Sequence, residues 1–148
     1  MRFLFAWMLL AAPALAQQPP VVQLTAGMHL ISAELAADVS TRAQGLMHRK
    51  SLGPNAGMLF VFDGAAIHCM WMKNTYIPLS VAFLDAQGAI INIADMQPHS
   101  EQSHCAARPA LYALEMTQGW FAQRGIKPGA KLGGVVEASK GSPSRRGQ

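Results

Sequence analysis

Between residues 29 and 36 apolar and polar positions alternate, with Ile31, Ala33 and Leu35 in one set and Leu30, Ser32, Glu34 and Ala36 in the other. A period of two puts the sets on opposite faces of an extended chain, which predicts a strand. Asp38 then offers an N-cap for a short helix reaching about Met47. Gly45 inside it costs on the order of 1 kcal/mol relative to alanine, so this helix depends on packing to persist. A loop at 51–57 contains Pro54 and Asn55, and the unbroken run from Met58 through Phe62 reads as a buried strand ended by Asp63 and Gly64.

Downstream, 68–73 reads as a strand. Residues 80–85 and 89–94 form the clearest hairpin, joined across 86–88. A long polar loop at 97–109 precedes a strand at 110–116. A second short helix begins at Thr117 and stops at Gly125, and Pro128-Gly129 turns the chain into a last strand at 131–136. Many short strands without a βαβ alternation predict a mainly β protein, an antiparallel barrel or sandwich with two short helices. Nothing in this layout supplies a dinucleotide-binding crevice, and no internal repeat is present.

The ends differ from the body. Residues 1–16 carry Arg2, an apolar run over 3–10 and Ala14-Leu15-Ala16, the pattern of a cleaved secretory signal peptide. The run is far short of the roughly 20 residues a spanning helix needs, so no transmembrane segment is expected in the mature chain. Residues 17–28 read as a leader and first extended segment, 29–138 as a single β domain, and 139–148 as a disordered basic tail. Export to the periplasm or beyond the cell follows. The formal charge of +4 is peripheral: between residues 17 and 139 eight Lys/Arg balance eight Asp/Glu. A nucleic-acid face is therefore not expected. In an oxidising compartment Cys69 and Cys105 pair by default, while two free thiols or a redox pair stay open because a sequence does not give the Cα separation.

Four segments carry a resemblance. Arg42-Ala43-Gln44-Gly45-Leu46-Met47, then Gly57-Met58-Leu59-Phe60-Val61-Phe62, then Trp71-Met72-Lys73-Asn74-Thr75 with Ile77-Pro78-Leu79, and last Tyr112-Ala113-Leu114-Glu115 with Gly119-Trp120, in this order, resemble the DUF192 family from about Glu34 to Val136. The resemblance implies a compact, mostly β, often exported domain and brings no established reaction or ligand. The family pattern has an aspartate where this chain has Ser80, and an acidic residue where it has Ala130. A mechanism requiring either carboxylate is in doubt here.

Candidate chemistry centres on the turn after Trp71. Lys73, Asn74 and Thr75 stand between apolar segments and could form a polar pocket with Arg42 and Glu115 as neighbours. The plainer role for Lys73 is an ion pair with Glu115, Asp85 or Glu34, and for Asn74 and Thr75 the satisfaction of turn backbone. Glu115 with Asp85 would suit general acid/base hydrolysis, alone or with Lys73, if their oxygens lay about 5 to 9 Å apart. His68, Met70 and Met72 share one face of a strand and suggest a soft metal such as copper, with help from Met96, His99 or His104. A methionine-filled core is the competing explanation. Cysteine catalysis by Cys69 would need His104 and no disulfide. Trp71 and Trp120 could stack a sugar, though core packing is the commoner use of such residues. The residues together point to an exported binding or accessory module for an unknown small molecule or envelope protein, without a cofactor, in preference to an enzyme; hydrolysis through Lys73 with Glu115 or Asp85, and soft-metal binding through His68, Met70 and Met72, are the alternatives.

Overall fold

The computed structural model describes residues 17–141, so the signal-peptide reading of residues 1–16 lies outside the described residues, as do residues 142–148 of the tail. In chain order the elements are β1 (Val21–Ala26), β2 (His29–Ala36), α1 (Val39–Gln44), β3 (Ala56–Ala66), β4 (Cys69–Met70), β5 (Leu79–Leu84), β6 (Ile90–Met96), β7 (His104–Cys105), β8 (Ala110–Thr117), α2 (Trp120–Gln123) and α3 (Val135–Lys140). One six-stranded sheet has the order β1-β2-β3-β8-β5-β6, and β4 pairs with β7 in a small second sheet.

The mainly β reading holds, with refinements. The large sheet is mixed, because α1 and the loop after it carry the chain away from β2 and return it parallel, as β3. Edge strands β1 and β6 are not neighbours in the sheet. Residues 129–133 lace both edges instead. Gly129 N–H donates to Ile90 O at 2.8 Å and Ile90 N–H to Ala130 O at 2.9 Å, while Thr25 and Gly133 exchange both backbone bonds at 3.0 and 2.8 Å. The strand expected at 131–136 is thus two isolated bridges, Ala89↔Lys131 and Thr25↔Gly133. Gly134 at φ 85° then turns the chain into a third helix, α3, and Val135 is fully buried. Ser139, placed by the sequence in the tail, is also buried there and shares a hydrogen bond with the Tyr112 hydroxyl at 3.1 Å.

Two further boundaries move. β3 does not end at Asp63-Gly64 but runs on to Ala66 through a register shift between Val61 and Ala66. The strand expected over 68–73 contracts to Cys69–Met70, because its only ladder partner is the two-residue β7, itself inside the stretch read as loop. The second helix begins at Trp120 rather than Thr117, which completes β8.

β8 is the axis of the fold, hydrogen-bonded to β3 on one side and β5 on the other, with Ala110 through Met116 all buried. Apolar clusters cover both faces. Leu24, Ile31, Leu59, Leu114 and Phe121 belong to one, and Met58, Phe60, Met72, Leu79 and Phe83 to the other. Each such side chain contributes about 1.5–3 kcal/mol on leaving water. A charged residue on β8 consequently faces apolar packing whichever way it points.

Candidate functional site

Helix α1 covers the second face without packing into it. None of its residues is buried. Its N-terminus is fixed by a capping box in which Asp38 Oδ1 accepts from Thr41 N–H at 2.8 Å and the Asp38 N–H donates to Thr41 Oγ1 at 3.3 Å. The Thr41 backbone bond is the main reason the Asp38 carboxyl stays below its ordinary range. Arg42 ties the helix to the sheet: Nη1 donates to Ala37 O at 2.8 Å and Val61 O at 3.0 Å, and Nη2 reaches Asp63 Oδ2 at 3.0 Å. Gly45, with φ 49°, ends the helix, and the chain plunges inward at the buried Leu46. A helix held by one arginine and one leucine leaves space beneath it.

That space is a cavity of about 330 Å³. Residues 42–47 form one wall, Phe60 and Phe62 of β3 a second, and Cys69, Met70, Trp71 and Thr75 a third, with Glu115 also exposed to it. The third wall is pinned from outside. Cys69 is disulfide-bonded to Cys105, Ala106 N–H donates to His68 O at 2.9 Å, and Met72 N–H donates to Ser100 O at 2.8 Å. At the junction of these loops His48, Asn74 and His99 adopt left-handed backbones (φ 63°, 52° and 63°), unusual without glycine. Backbone bonds join them: His48 N–H to Asn74 O at 2.9 Å and His99 N–H to Thr75 O at 3.1 Å.

Glu115 is the chemical centre of the cavity. On β8 it stands opposite Met58 of β3 and Val81 of β5, and it is only 3% exposed. Among the described residues its carboxyl has no hydrogen-bond or ion-pair partner. Since every fully sealed side-chain nitrogen and oxygen among the described residues does have a partner, its oxygens retain the residual access that the cavity gives them. Desolvation by burial pushes the carboxyl up to about 8, so it carries its proton at neutral pH. An uncharged acid in an apolar recess can donate a hydrogen bond, and it becomes a carboxylate when a cation arrives.

The structure brings together Arg42, Thr75 and Glu115 from the residues singled out in the sequence, and leaves Lys73 and Asn74 outside the cavity lining. Lys73 is exposed, its Nζ 5.2 Å from the centroid of the Trp71 ring. It forms no ion pair with Glu115, Asp85 or Glu34, which corrects that expectation; Glu34 pairs with Arg49 at 2.9 Å. Asp85 accepts from Gln87 and Ala89 N–H in the β5–β6 turn. β5 registers Leu84 with Tyr112 and Val81 with Glu115, so Asp85 lies four positions from Glu115, about 13 Å along the strands. A two-carboxylate hydrolytic pair does not form. Thr75 Oγ1 donates to Lys73 O at 3.0 Å, the turn-satisfying role.

The other constellations separate too. His68 Nε2 donates to Gly64 O at 2.8 Å with its ring stacked on Phe62, Met72 is fully buried in the core, and Met70 lines the cavity. Cys69 has no thiol to act as nucleophile. Trp71 is 47% exposed, whereas Trp120 is buried on the opposite cluster with Nε1 donating to Asn55 Oδ1 at 3.1 Å. Sequence reasoning missed Phe60 and Phe62 as cavity residues because an unbroken apolar run does not show where its cover is incomplete. The signal that could have found them is the resemblance itself: its four segments supply every cavity residue except Cys69 and Met70.

Comparison with known proteins agrees with this architecture. Residues 22–134 match the DUF192 family model, whose description reads "Uncharacterized ACR, COG1430". A crystal structure of a protein put forward as a transcription regulator, from Sinorhizobium meliloti 1021, is 39% identical, with a TM-score of 0.72 over 77% of this chain and 92% of that one. A protein of unknown function from Novosphingobium aromaticivorans DSM 12444 is 37% identical, with a TM-score of 0.75 over 82% of this chain and 92% of that one. The curated proteins yield no match. With the family model matching most of its length, the chain belongs to the DUF192 family.

Proposed function

We propose that this protein is an exported binding module of the cell envelope, and that the cavity between α1, Phe60, Phe62 and the Trp71–Thr75 turn holds a small ligand against Glu115. The observation that carries the reading is the pairing of a cavity with a buried carboxyl group to which no described protein group is bonded. A buried polar group without a hydrogen bond is costly, and a ligand that supplies one gains that energy on binding. About 330 Å³ is at the small end of ligand pockets, and the apolar walls with few polar groups match their usual make-up. Export is supported by the leader pattern of residues 1–16 and by the disulfide, which suits an oxidising compartment. No described helix is long and apolar enough to cross a membrane.

Binding is favoured over catalysis because Glu115 stands apart from Asp85 and from Lys73, so no second titratable side chain among the earlier candidates completes an acid/base pair. The test is a thermal-shift screen of amines, anions, sugars and metal ions on the purified protein, repeated on Ala43→Trp. Ala43 is exposed at the cavity wall, and an indole there obstructs the space. Ligands whose stabilisation disappears in Ala43→Trp, while Lys73→Met retains it, establish the cavity as the site. Stabilisation untouched by Ala43→Trp removes the cavity from the function.

A further inference from the structure

On the reading that the cavity is a binding site, its chemistry narrows the ligand. We propose that it takes a small organic cation, an alkylammonium or quaternary ammonium ion, with the positive charge beside Glu115 and the alkyl groups against Phe60, Phe62 and Trp71. Three observations converge. The first is the deficit at Glu115: a carboxyl group 3% exposed, flanked across the strands by Met58 and Val81, with no cation and no hydrogen-bond donor directed at it among the described residues. Arg42 is the charged side chain that shares its cavity, and the Arg42 guanidinium is committed to two backbone carbonyls and Asp63. β3 presents Met58, Phe60 and Phe62 to this region, β5 presents Val81, and the third wall holds Cys69 in its disulfide, Met70, Trp71 and Thr75; none of these ionises near neutral pH.

The second observation is the aromatic lining. Ring faces attract cations, more so where water is excluded, and ammonium ions are the ligands most often held this way. Phe62 is fixed by stacking on His68, with ring centroids 3.7 Å apart. The third is the scarcity of other polar groups. Besides Arg42 and Glu115 the polar side chains of the lining are Gln44 and Thr75; a sugar needs many hydrogen-bond partners, and Thr75 is already donating to Lys73 O. An anion would meet a carboxyl group and an arginine that is already neutralised.

The cation replaces a proton. Without ligand Glu115 keeps its proton at neutral pH; on binding, the O–H bond breaks, the proton passes to solvent, and the carboxylate faces the ammonium. Affinity therefore rises as pH rises toward 8, about tenfold per unit below that point.

Calorimetry on the disulfide-bonded protein, with tetramethylammonium and with a trimethylammonium alcohol against its uncharged tert-butyl analogue, tests the proposal between pH 6 and 8. Both cations bind at least tenfold more tightly than the analogue, gain affinity with pH, and lose at least tenfold in Glu115→Gln together with the pH dependence. Should that variant not fold, titrations of the wild type in two buffers of different ionisation enthalpy read about one proton released per cation at pH 7. Equal binding of the uncharged analogue, or cation binding that Glu115→Gln leaves intact, overturns the cation; a flat pH profile without proton release overturns the exchange for a proton. If a ligand of another class is instead lost in Ala43→Trp, the cavity remains a binding site and only the cation is rejected; if Ala43→Trp affects no ligand, both readings fall.

Discussion

Ser80 on β5 faces Asp95 on β6 in the ladder, and its hydroxyl donates to Asp95 Oδ1 at 2.5 Å while accepting from the Gly119 N–H at 2.9 Å. The aspartate that the family pattern places at position 80 is thus absent, yet a carboxylate stands one strand away, bonded to the hydroxyl that replaces it. The pair fixes the turn between β8 and α2, and lies at a different site from the Glu115 cavity.

Ser80→Asp sets a carboxylate at a position only 1% exposed against the exposed Asp95. It is expected to cost about 1–3 kcal/mol at pH 7. Combining it with Asp95→Ser exchanges the partners, restores the hydroxyl–carboxylate bond and leaves an oxygen to accept from Gly119. Urea unfolding of the two single variants and the double variant measures the coupling. Additive losses in the double variant would rule out a direct exchange.

Gly57 sets how closely β3 approaches β8. A Cβ at this position would collide with the Glu115 carbonyl oxygen and with Met116 Sδ, and the carbonyl belongs to backbone that cannot rotate away. Gly57→Ala is predicted to cost at least about 2 kcal/mol through overpacking. The displaced β8 carries Glu115, so ligand affinity falls with stability. Denaturant midpoints and the ligand titration read the two effects separately. An unchanged midpoint would mean that the sheet yields more readily than its central position suggests.

The Cys69–Cys105 bridge closes a separation of 36 residues. Cys69→Ser/Cys105→Ser is expected to lose ~4 kcal/mol in the chain-entropy model. The bridge also pins one wall of the cavity. Amide hydrogen exchange over 69–76 and 97–106 should therefore accelerate more than over β8. Uniform acceleration across the protein would show the bridge acting on global stability alone.

How far the sequence reached depended on how local each signal was. Alternation around Ile31 and Ala33, the Asp38 cap, the hairpin of β5 and β6 and the pairing default for the cysteines are contained in a few neighbouring residues, and each appears in the structure. The parallel return of β3 beside β2, the lacing of both sheet edges by 129–133 and the conversion of Val135 into a helix residue depend on partners far along the chain. The candidate site divided in the same way. Polar residues in an apolar run marked the Trp71–Thr75 turn, but the direction of Lys73 was not contained in the run.

Lys73→Met therefore tests a position outside the cavity. Its contact with Trp71 is at the surface, where such contacts contribute about 0.5–1 kcal/mol. Stability should fall by no more than that, and affinity for a cavity ligand should stay within a factor of about two. A loss of tenfold or more would restore Lys73 to the site.

Glu115 makes the protein's stability fall as the solution becomes alkaline. Its folded value of about 8 lies above the ordinary 4.5, so between these pH values the folded state keeps a proton that the unfolded state has lost. Below pH 4.5 the group contributes no difference. As pH rises through the window, folding is penalised by about 1.4 kcal/mol per unit, and above pH 8 the penalty levels off. Glu115→Gln removes the titration but keeps the shape, and any fixed cost of burying its amide does not vary with pH. The measurement is thus the difference between variant and wild type in urea unfolding at pH 5, 7 and 9. It should move in favour of the variant by roughly 3–5 kcal/mol across that range, with most of the change complete by pH 8. A difference that stays constant from pH 5 to 9 would mean that Glu115 is already ionised in the folded protein, with water or a counter-ion reaching it through the cavity.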